Sequence, residues 1–205
     1  MENLLPERHP LEPFTPEGAR VLMLGSFPPP RARWSMDFYY PNPQNDMWRV
    51  MGLVFYGDKD RFAARDAAGA VACGFDRPRV EAFCTERGIA LSDTAVEVVR
   101  LAGNASDDLL QIVVRRDIAA LLARLPQCTA VVTTGQKATE TLFESLRDAG
   151  AVISSPGGKP ALPAVGSFAE ATLDGRTIRL WRMPSTSRAY PLPIARKAEA
   201  YARMF

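Results

Sequence analysis

The chain has 205 residues, of which 47% are hydrophobic, and its formal net charge is +2. This length predicts one well-packed domain over residues 1–205, and the small net charge neither requires nor excludes a nucleic-acid partner. Three widely spaced cysteines without a C-x-x-C pair argue against a metal or iron–sulfur site. The lack of a leader or a long apolar run predicts a cytoplasmic protein that does not enter a membrane.

Residues 1–19 contain four prolines and no sustained hydrophobic period, which predicts an N-terminal arm on the surface. Short apolar runs predict buried strands at 19–25, 89–93 and 129–135, and the Asp174-Gly175 turn predicts a hairpin across 168–184. A long proline-rich loop covers 26–44, and helical patterns are found at 45–55, 62–75, 77–88, 104–125, 136–150 and 194–205.

Strands alternate with helices, and several of the strands are apolar throughout. This pattern predicts an α/β domain whose mainly parallel sheet is covered by helices on both faces. In such sheets the functional residues lie on loops that leave the carboxyl ends of the strands. Three loops are therefore candidates, those that follow Leu24, Leu91 and Met183.

The loop after the first strand carries aromatic and amide side chains on a proline-rich backbone, with Tyr39 and Tyr40 followed by Asn42 and Asn45. A tyrosine ring can stack on a nucleic-acid base, and a carboxamide can donate and accept hydrogen bonds at once, as the Watson–Crick edge requires. The alternative is structural. The tyrosines would then pack with Trp48 in a small second core, and Asn45 would only cap the next helix.

The loop after Met183 carries three hydroxyl groups and an arginine. Ser185, Thr186, Ser187 and Arg188 could bind phosphate oxygens, and the alternative is a simple turn with a hydroxyl hydrogen bond. Seven Lys or Arg and one acid lie from residue 176 to residue 205, so a basic face would draw on this end of the chain.

Two classes of enzyme are disfavoured. No Gly-Lys-Ser/Thr follows the first strand, which argues against hydrolysis of a nucleoside triphosphate. His9 is the only histidine and lies in the predicted arm, which disfavours Ser–His–Asp, Cys–His and multi-histidine metal sites. Any chemistry is therefore expected to use carboxylates, amides, hydroxyls, Arg or Lys.

Taken in order, several motifs resemble the uracil-DNA glycosylase superfamily, and in particular its hypoxanthine-DNA glycosylase branch. The similar segments are GSFP, the Tyr39-Tyr40 pair, the P-x-N-x-x-W element that ends at Trp48, GIALSD (88–93), GNASDDLL (103–110), TTGQKATETLF (133–143) and the late PSTS loop. This resemblance implies a three-layer α/β/α sandwich with a central, mainly parallel four-stranded sheet. It also implies a monomeric, cofactor-free, monofunctional DNA glycosylase that flips a deaminated base, such as uracil or hypoxanthine, out of DNA and cleaves its N-glycosidic bond in base excision repair.

The resemblance implies roles for individual residues. Asn45 matches the catalytic asparagine of the branch. Apart from the resemblance, the chemistry allows Asp37, Asp46 or Asp93 to activate water, and Asp93 is the best placed because it ends the second strand. The alternative for Asp93 is that it is a cap or turn residue. The implied base-binding residues are Ser26, Phe27, Tyr40 and Asn42, with Tyr40 stacked on the flipped base. The implied DNA-binding residues are Pro184, Ser185, Thr186, Ser187 and Arg188, with Arg188 filling the gap left in the duplex.

The chain also departs from the family pattern. Phe27 stands where many branches have an Asp or Asn that holds the attacking water, and residues 55–62 resemble an insertion. Base preference therefore does not transfer from the branch. Two other interpretations stay open: a non-catalytic module that binds lesions or nucleic acid, and a hydrolase of free nucleosides.

Overall fold

The computed structural model describes residues 5–101, 109–154 and 162–205. Its elements in chain order are β1 (Glu7–Arg8), β2 (Val21–Gly25), α1 (Met47–Tyr56), β3 (Ala63–Arg65), β4 (Val71–Phe75), α2 (Arg77–Arg87), β5 (Ile89–Asp93), β6 (Ala95–Arg100), β7 (Leu110–Arg115), α3 (Ile118–Ala123), β8 (Ala130–Thr134), α4 (Gln136–Asp148), β9 (Val152–Ser154), β10 (Ser167–Leu173), β11 (Arg176–Met183) and α5 (Ile194–Ala202).

The main sheet has six strands in the order β5-β2-β8-β11-β10-β9. The first four are mutually parallel, whereas β10 and β9 are antiparallel to their neighbours. The expected four-stranded sheet is therefore wrong in its strand number, because the predicted hairpin adds β10 beside β11 and β9 then pairs with β10. The parallel strands that the apolar runs predicted are confirmed.

Helices cover both faces of this sheet. Alternate residues of β2 belong to different cores: Leu22 and Leu24 pack with α3 and α4, and Met23 packs with α1, α2 and α5. Successive side chains of a strand point to opposite faces of the sheet, so a strand buried on both sides contributes to two cores. Within the described residues, no helix is long and apolar enough to cross a membrane.

The predicted helix at 62–75 is wrong, since β3 and β4 form a hairpin there. Its alanines favour a helix, but the Asp66 carboxylate accepts from the backbone N–H groups of Ala68 and Ala70, both at 2.9 Å. Gly69 and Gly74 also have φ values of +81° and +109°, outside the helical region. A side-chain cap and two glycines therefore produce a turn where composition favours a helix.

The predicted helix at 104–125 is also wrong over most of its described length. Residues 102–108, which include most of the GNASDDLL segment, lie outside the described residues. Strand β7 then pairs with β6, and α3 begins only after Asp117, whose side chain accepts from Ala120 N at 2.8 Å. The β-branched run Ile112–Val114 fits a strand better than a helix, and the Asp117 cap sets the start of α3.

The N-terminal segment packs against the domain and does not form the expected surface arm. Strand β1 pairs antiparallel with β6, and Phe14 forms a β-bridge with Leu91 at the edge of the main sheet. His9, next to β1, is buried. This packing brings the single histidine to the carboxyl end of the sheet.

Candidate active site

A cavity of about 640 Å³ opens where the four parallel strands end. Its lining includes one residue from the carboxyl end of each strand or from the loop that follows: Gly25, Asp93, Thr134 and Ser185. The chain leaves β2 towards β5 through α1 and α2, and leaves β8 towards β11 through α4 on the other face. The ends of β2 and β8 therefore form the crevice in which open α/β sheets bind ligands.

Asp93 lies in this cavity and is held by His9. The two side chains are 8% and 1% exposed, and Asp93 Oδ2 lies 2.8 Å from His9 Nε2. His9 Nδ1 lies 3.1 Å from the backbone N–H of Leu11, so the neutral tautomer that carries its proton on Nε2 accepts from Leu11 and donates to Asp93. Nδ1 also lies 2.8 Å from Leu11 O, which suits the doubly protonated ring. Both states donate to the carboxylate.

The His9 ring is fixed on its other sides. Its edge meets the Phe27 ring at a centroid distance of 5.2 Å, and its backbone N–H donates to Val96 O at 2.7 Å. Phe27 is buried and packs with Ala95 and Val98, although it also lines the cavity. Phe27 thus supports the histidine, a role that its sequence position did not predict.

Gly25 lets the Asp93 carboxylate approach the end of β2. The two residues face each other in the parallel register of β2 and β5, and a Cβ at residue 25 would collide with Asp93 Oδ1. The same Cβ would lie 3.7 Å from Cε1 of Tyr40. The glycine of the GSFP segment is therefore required by close packing of the site.

Tyr40 forms one wall of the cavity in a backbone conformation that is rare for tyrosine, with φ +52°. Its hydroxyl lies 3.4 Å from Thr134 Oγ1, and its ring packs edge-to-face on Trp48 at 6.0 Å. Burial, followed by the negative charge of Asp93, raises the pKa of Tyr40 well above its ordinary value. The phenol therefore stays neutral and presents a flat ring beside the carboxylate.

Asn42 and Asn45 both line the cavity, and both use their side-chain oxygens to shape the loop. Asn42 Oδ1 accepts from Gln44 N, and Asn45 Oδ1 accepts from Met47 N at the start of α1, each at 2.9 Å. The N-cap of α1 is Asp46, which makes no side-chain capping bond, so Asn45 shapes the turn before the helix and does not cap it. Since Oδ1 of Asn45 accepts this backbone hydrogen bond, its amide nitrogen is the donor that can reach a ligand.

The loop after β11 closes the opposite side. Ser185, Thr186, Ser187 and Arg188 line the cavity, whereas Pro184 lies behind it and accepts a hydrogen bond from the Tyr201 hydroxyl at 3.0 Å. An isolated β-bridge between Asn45 and Ser187 joins this loop to the one that carries the tyrosines.

The hydroxyl groups of this loop differ in their partners. Ser185 and Ser187 accept from backbone N–H groups two residues further on, each at 3.2 Å. Thr186 is 1% exposed, and its Oγ1 has no hydrogen-bond partner in the described part of the chain. An unsatisfied buried hydroxyl beside a cavity indicates a place for a ligand atom or a water molecule.

The remaining predicted residues have mixed positions. Ser26 is buried and lines the cavity. Asp46 is buried beneath the last loop and bonded to Arg188 Nε at 3.0 Å, and Asp37 is exposed and paired with Arg31. Neither carboxylate lines the main cavity, so Asp93 is the carboxylate that the fold brings there.

Sequence reasoning missed two groups of the site, His9 and Thr134. A single histidine in a proline-rich segment carries no local signal, since its contact with Asp93 spans 84 residues. Thr134 ends the third predicted strand, so the rule that places function at strand ends could have found it.

No known family model matches the chain, and no curated protein matches it. A solved structure does: the solution NMR structure of a "putative Uracil DNA glycosylase" from Methanosarcina acetivorans has 20% sequence identity to this chain and a TM-score of 0.58, with 98% of each chain covered. A similarity at this identity shows a shared fold, and it does not single out the hypoxanthine branch. The chain therefore has the α/β fold of that protein over nearly its whole length.

Proposed function

We propose that the chain is a monofunctional DNA glycosylase that hydrolyses the N-glycosidic bond of a deaminated base, uracil or hypoxanthine, in base excision repair. The proposal is supported by the fold shared with the Methanosarcina acetivorans protein and by the motifs that line the cavity. We further propose that the enzyme acts as a monomer on DNA that contains a damaged base.

The observation that carries the proposal is the buried Asp93 carboxylate, held by His9 and facing an aromatic wall in one cavity. Hydrolysis of an N-glycosidic bond needs a group that orients and deprotonates water while positive charge develops on the sugar. A carboxylate can do both, whereas the amide of Asn45 can only orient the water. We therefore assign the proton-accepting role to Asp93 and a positioning role to His9.

The other lining residues have roles that suit this chemistry. Tyr40 would stack on the flipped base, and Asn42, with the amide nitrogen of Asn45, would donate to the carbonyl oxygens that uracil and hypoxanthine both carry. These donors stabilise the negative charge that the departing base takes up as the bond breaks. Water adds to C1′ of the sugar, Asp93 takes its proton, and the base leaves with the bonding electron pair.

A single-turnover cleavage assay tests the proposal on single- and double-stranded oligonucleotides that carry uracil, hypoxanthine or xanthine. Wild type is expected to form abasic sites on at least one lesion. Asp93→Asn should lower the rate about 10²- to 10⁴-fold, the usual contribution of a positioned acid or base. His9→Ala should lower it about tenfold to a hundredfold, and His9→Gln, which keeps an N–H donor, should lose less.

Asn45→Ala separates the two catalytic assignments. If the rate vanishes in Asn45→Ala and survives in Asp93→Asn, the asparagine carries the water and the assignment to Asp93 is wrong. Thermal unfolding of each variant shows whether the loss of rate reflects unfolding, which matters most for Asn45 because its Oδ1 accepts a backbone hydrogen bond at the start of α1.

A second candidate function is a non-catalytic module that binds lesions, and the apolar Phe27 in the GSFP segment favours it. This reading requires that wild type cleave none of the lesions and still bind lesion-containing DNA in a salt-sensitive way. Turnover of free nucleosides that does not depend on salt would instead indicate a nucleoside hydrolase.

A further inference from the structure

A second cavity, of about 430 Å³, lies beside the first one, and the segment after β11 contributes to both. Four basic side chains line it, from Arg49, Lys59, Arg188 and Lys197, together with the single carboxylate of Asp46. Leu192 and Ile194 form its apolar wall. Arg188 lines both cavities, and Asn45 and Asp46, neighbours in sequence, line one each.

One carboxylate is shared by three of these cations. Asp46 Oδ1 lies 3.0 Å from Arg188 Nε and 3.5 Å from Arg49 Nη1, and Oδ2 lies 3.8 Å from Lys197 Nζ. Lys59 is exposed and forms no ion pair within the described residues. The charge that lines the cavity is therefore four positive groups against one negative group.

Burial makes this excess of positive charge more costly, because buried cations are poorly solvated. Lys197 is 1% exposed, and its ammonium donates to Ser187 O at 2.8 Å. Burial and then the charge of Arg188 lower the pKa of Arg49, while nearby Asp46 and Asp60 oppose the shift. Burial and Arg188 likewise lower the pKa of Lys197, again against Asp46. An anion in the cavity would relieve this repulsion between cations.

Arg188 is also held in a fixed orientation. Besides its bond to Asp46, its Nη1 donates to Gln44 Oε1 at 3.3 Å, and its backbone N–H donates to Gln44 O at 3.1 Å. A side chain anchored in this way suits a bound anion better than insertion into a duplex, which was the role expected from the sequence.

We propose that the second cavity binds one backbone phosphate of the DNA strand whose base occupies the first cavity, with Lys59 and Arg188 as its exposed ligands. The proposal rests on the proposed function, since it takes DNA as the partner. Arg188 lines both cavities, and the adjacent residues Asn45 and Asp46 line the first and the second, so neighbouring parts of one strand can reach both. The apolar wall suits contact with a sugar ring.

The test is the salt dependence of binding to a duplex that carries a non-cleavable abasic analogue, followed by fluorescence anisotropy. Lys59→Gln is expected to weaken binding about fivefold at low salt, as the upper range of an exposed ion pair allows. It should also reduce the slope of log K against log salt by about 0.9 between about 50 and 200 mM. Arg147→Gln is the matched control, because Arg147 is exposed in the last turn of α4, which runs away from the carboxyl edge of the sheet.

Single methylphosphonate substitutions in the DNA identify the phosphate. At one position near the lesion, wild type and Lys59→Gln should bind equally, because the charge that Lys59 contacts is gone. The proposal would be overturned if Lys59→Gln and wild type had the same slope of log K against log salt. It would also be overturned if no methylphosphonate position made the two proteins bind equally. If inorganic phosphate binds in a way that depends on Lys59, and no methylphosphonate position in DNA makes the two proteins bind equally, the cavity binds a free anion and the proposal is wrong.

The cleavage assay is independent of these measurements. Cleavage by wild type with an unchanged slope in Lys59→Gln removes the phosphate site and leaves the glycosylase. A changed slope without cleavage keeps the phosphate site and removes the enzyme.

Discussion

Gly25 and Asp93 show how much of the candidate site depends on the absence of one methyl group. The carboxylate occupies the space that a Cβ at residue 25 would take. It is there because parallel register places the ends of β2 and β5 side by side. Close approach of this kind is a common reason for a glycine at the end of a strand.

Gly25→Ala is therefore expected to displace the Asp93 carboxylate. The stability loss should be about 1–3 kcal/mol, typical of overpacking, and the cleavage rate should fall about a hundredfold, because a catalytic group displaced by about 1 Å has that effect. Chemical denaturation and single-turnover rates measure the two quantities.

Gly69→Ala is the control, since Gly69 has φ +81° in an exposed turn with open space around it. It should lose about 1 kcal/mol of stability from its positive φ and keep its full rate. A Gly25→Ala protein that cleaves as fast as wild type would show that the position of Asp93 does not limit the reaction.

His9 is the residue whose role the sequence could least predict. Its neighbours in sequence are prolines and charged residues, and its contacts come from β5, β6 and the loop after β2. The places of Asp93, Tyr40 and the loop of Ser185, Thr186 and Ser187 were predictable, because each lies at the end of a recognisable buried strand or belongs to a motif. The difference is that strand ends are visible in a sequence, whereas long-range contacts of an irregular segment are not.

Among the elements, the hairpin of β10 and β11 was predicted correctly because its turn has strong local chemistry. Asp174 and Gly175 both have positive φ, +48° and +76°. This matches the two-residue turn whose twist suits a hairpin. The turn precedes β11, so it lies at the end of the sheet opposite the cavity.

Gly175→Ala is expected to cost about 1–2 kcal/mol of stability, because alanine must adopt the left-handed conformation, and to leave the cleavage rate unchanged. Asp174→Gly should be neutral or slightly stabilising for the same reason. Equilibrium unfolding in urea and the cleavage assay distinguish these effects. A loss of rate in folded Gly175→Ala protein would mean that the hairpin affects the cavity at the far end of the sheet.

The two wrong helices have a shared cause. Both segments contain residues that favour helices, and in both an aspartate side chain accepts a backbone bond that favours another structure. Asp66 stabilises the turn between β3 and β4, and Asp117 sets the start of the short helix α3. Strand β7 pairs with β6, and β6 pairs in turn with β1 from the N-terminal segment, so this sheet joins distant parts of the chain. Local propensity is weak enough for such pairing to override it.

At the scale of the whole molecule, several acidic groups are buried in their neutral form. Burial raises the pKa of the Tyr39 and Tyr40 phenols, and the negative charge of Asp93 raises it further. Burial raises the pKa of Tyr201 as well. Burial also raises the pKa of the Cys84 and Cys128 thiols. In the unfolded chain these groups titrate near their ordinary values of 9.0 and 10.0.

Stability is therefore expected to fall as pH rises above about 9. In that range the folded chain keeps protons that the unfolded chain releases, so the free energy of unfolding decreases by up to about 1.4 kcal/mol per pH unit for each group. Urea unfolding from about pH 8 to about pH 11 measures the slope. Tyr201→Phe should reduce it, and a flat profile would contradict the prediction.

The sequence by itself determined the parallel strands, the hairpin and the loops that carry the candidate side chains, because apolar runs, turn residues and strand ends are local properties. The tertiary structure alone decided that β9 and β10 extend the sheet and that the N-terminal segment packs against it. It also decided that His9 holds Asp93 and that four cations line one cavity together with a single carboxylate. These features join residues far apart in the chain, and their free energy comes from pairing and burial that exist only after folding.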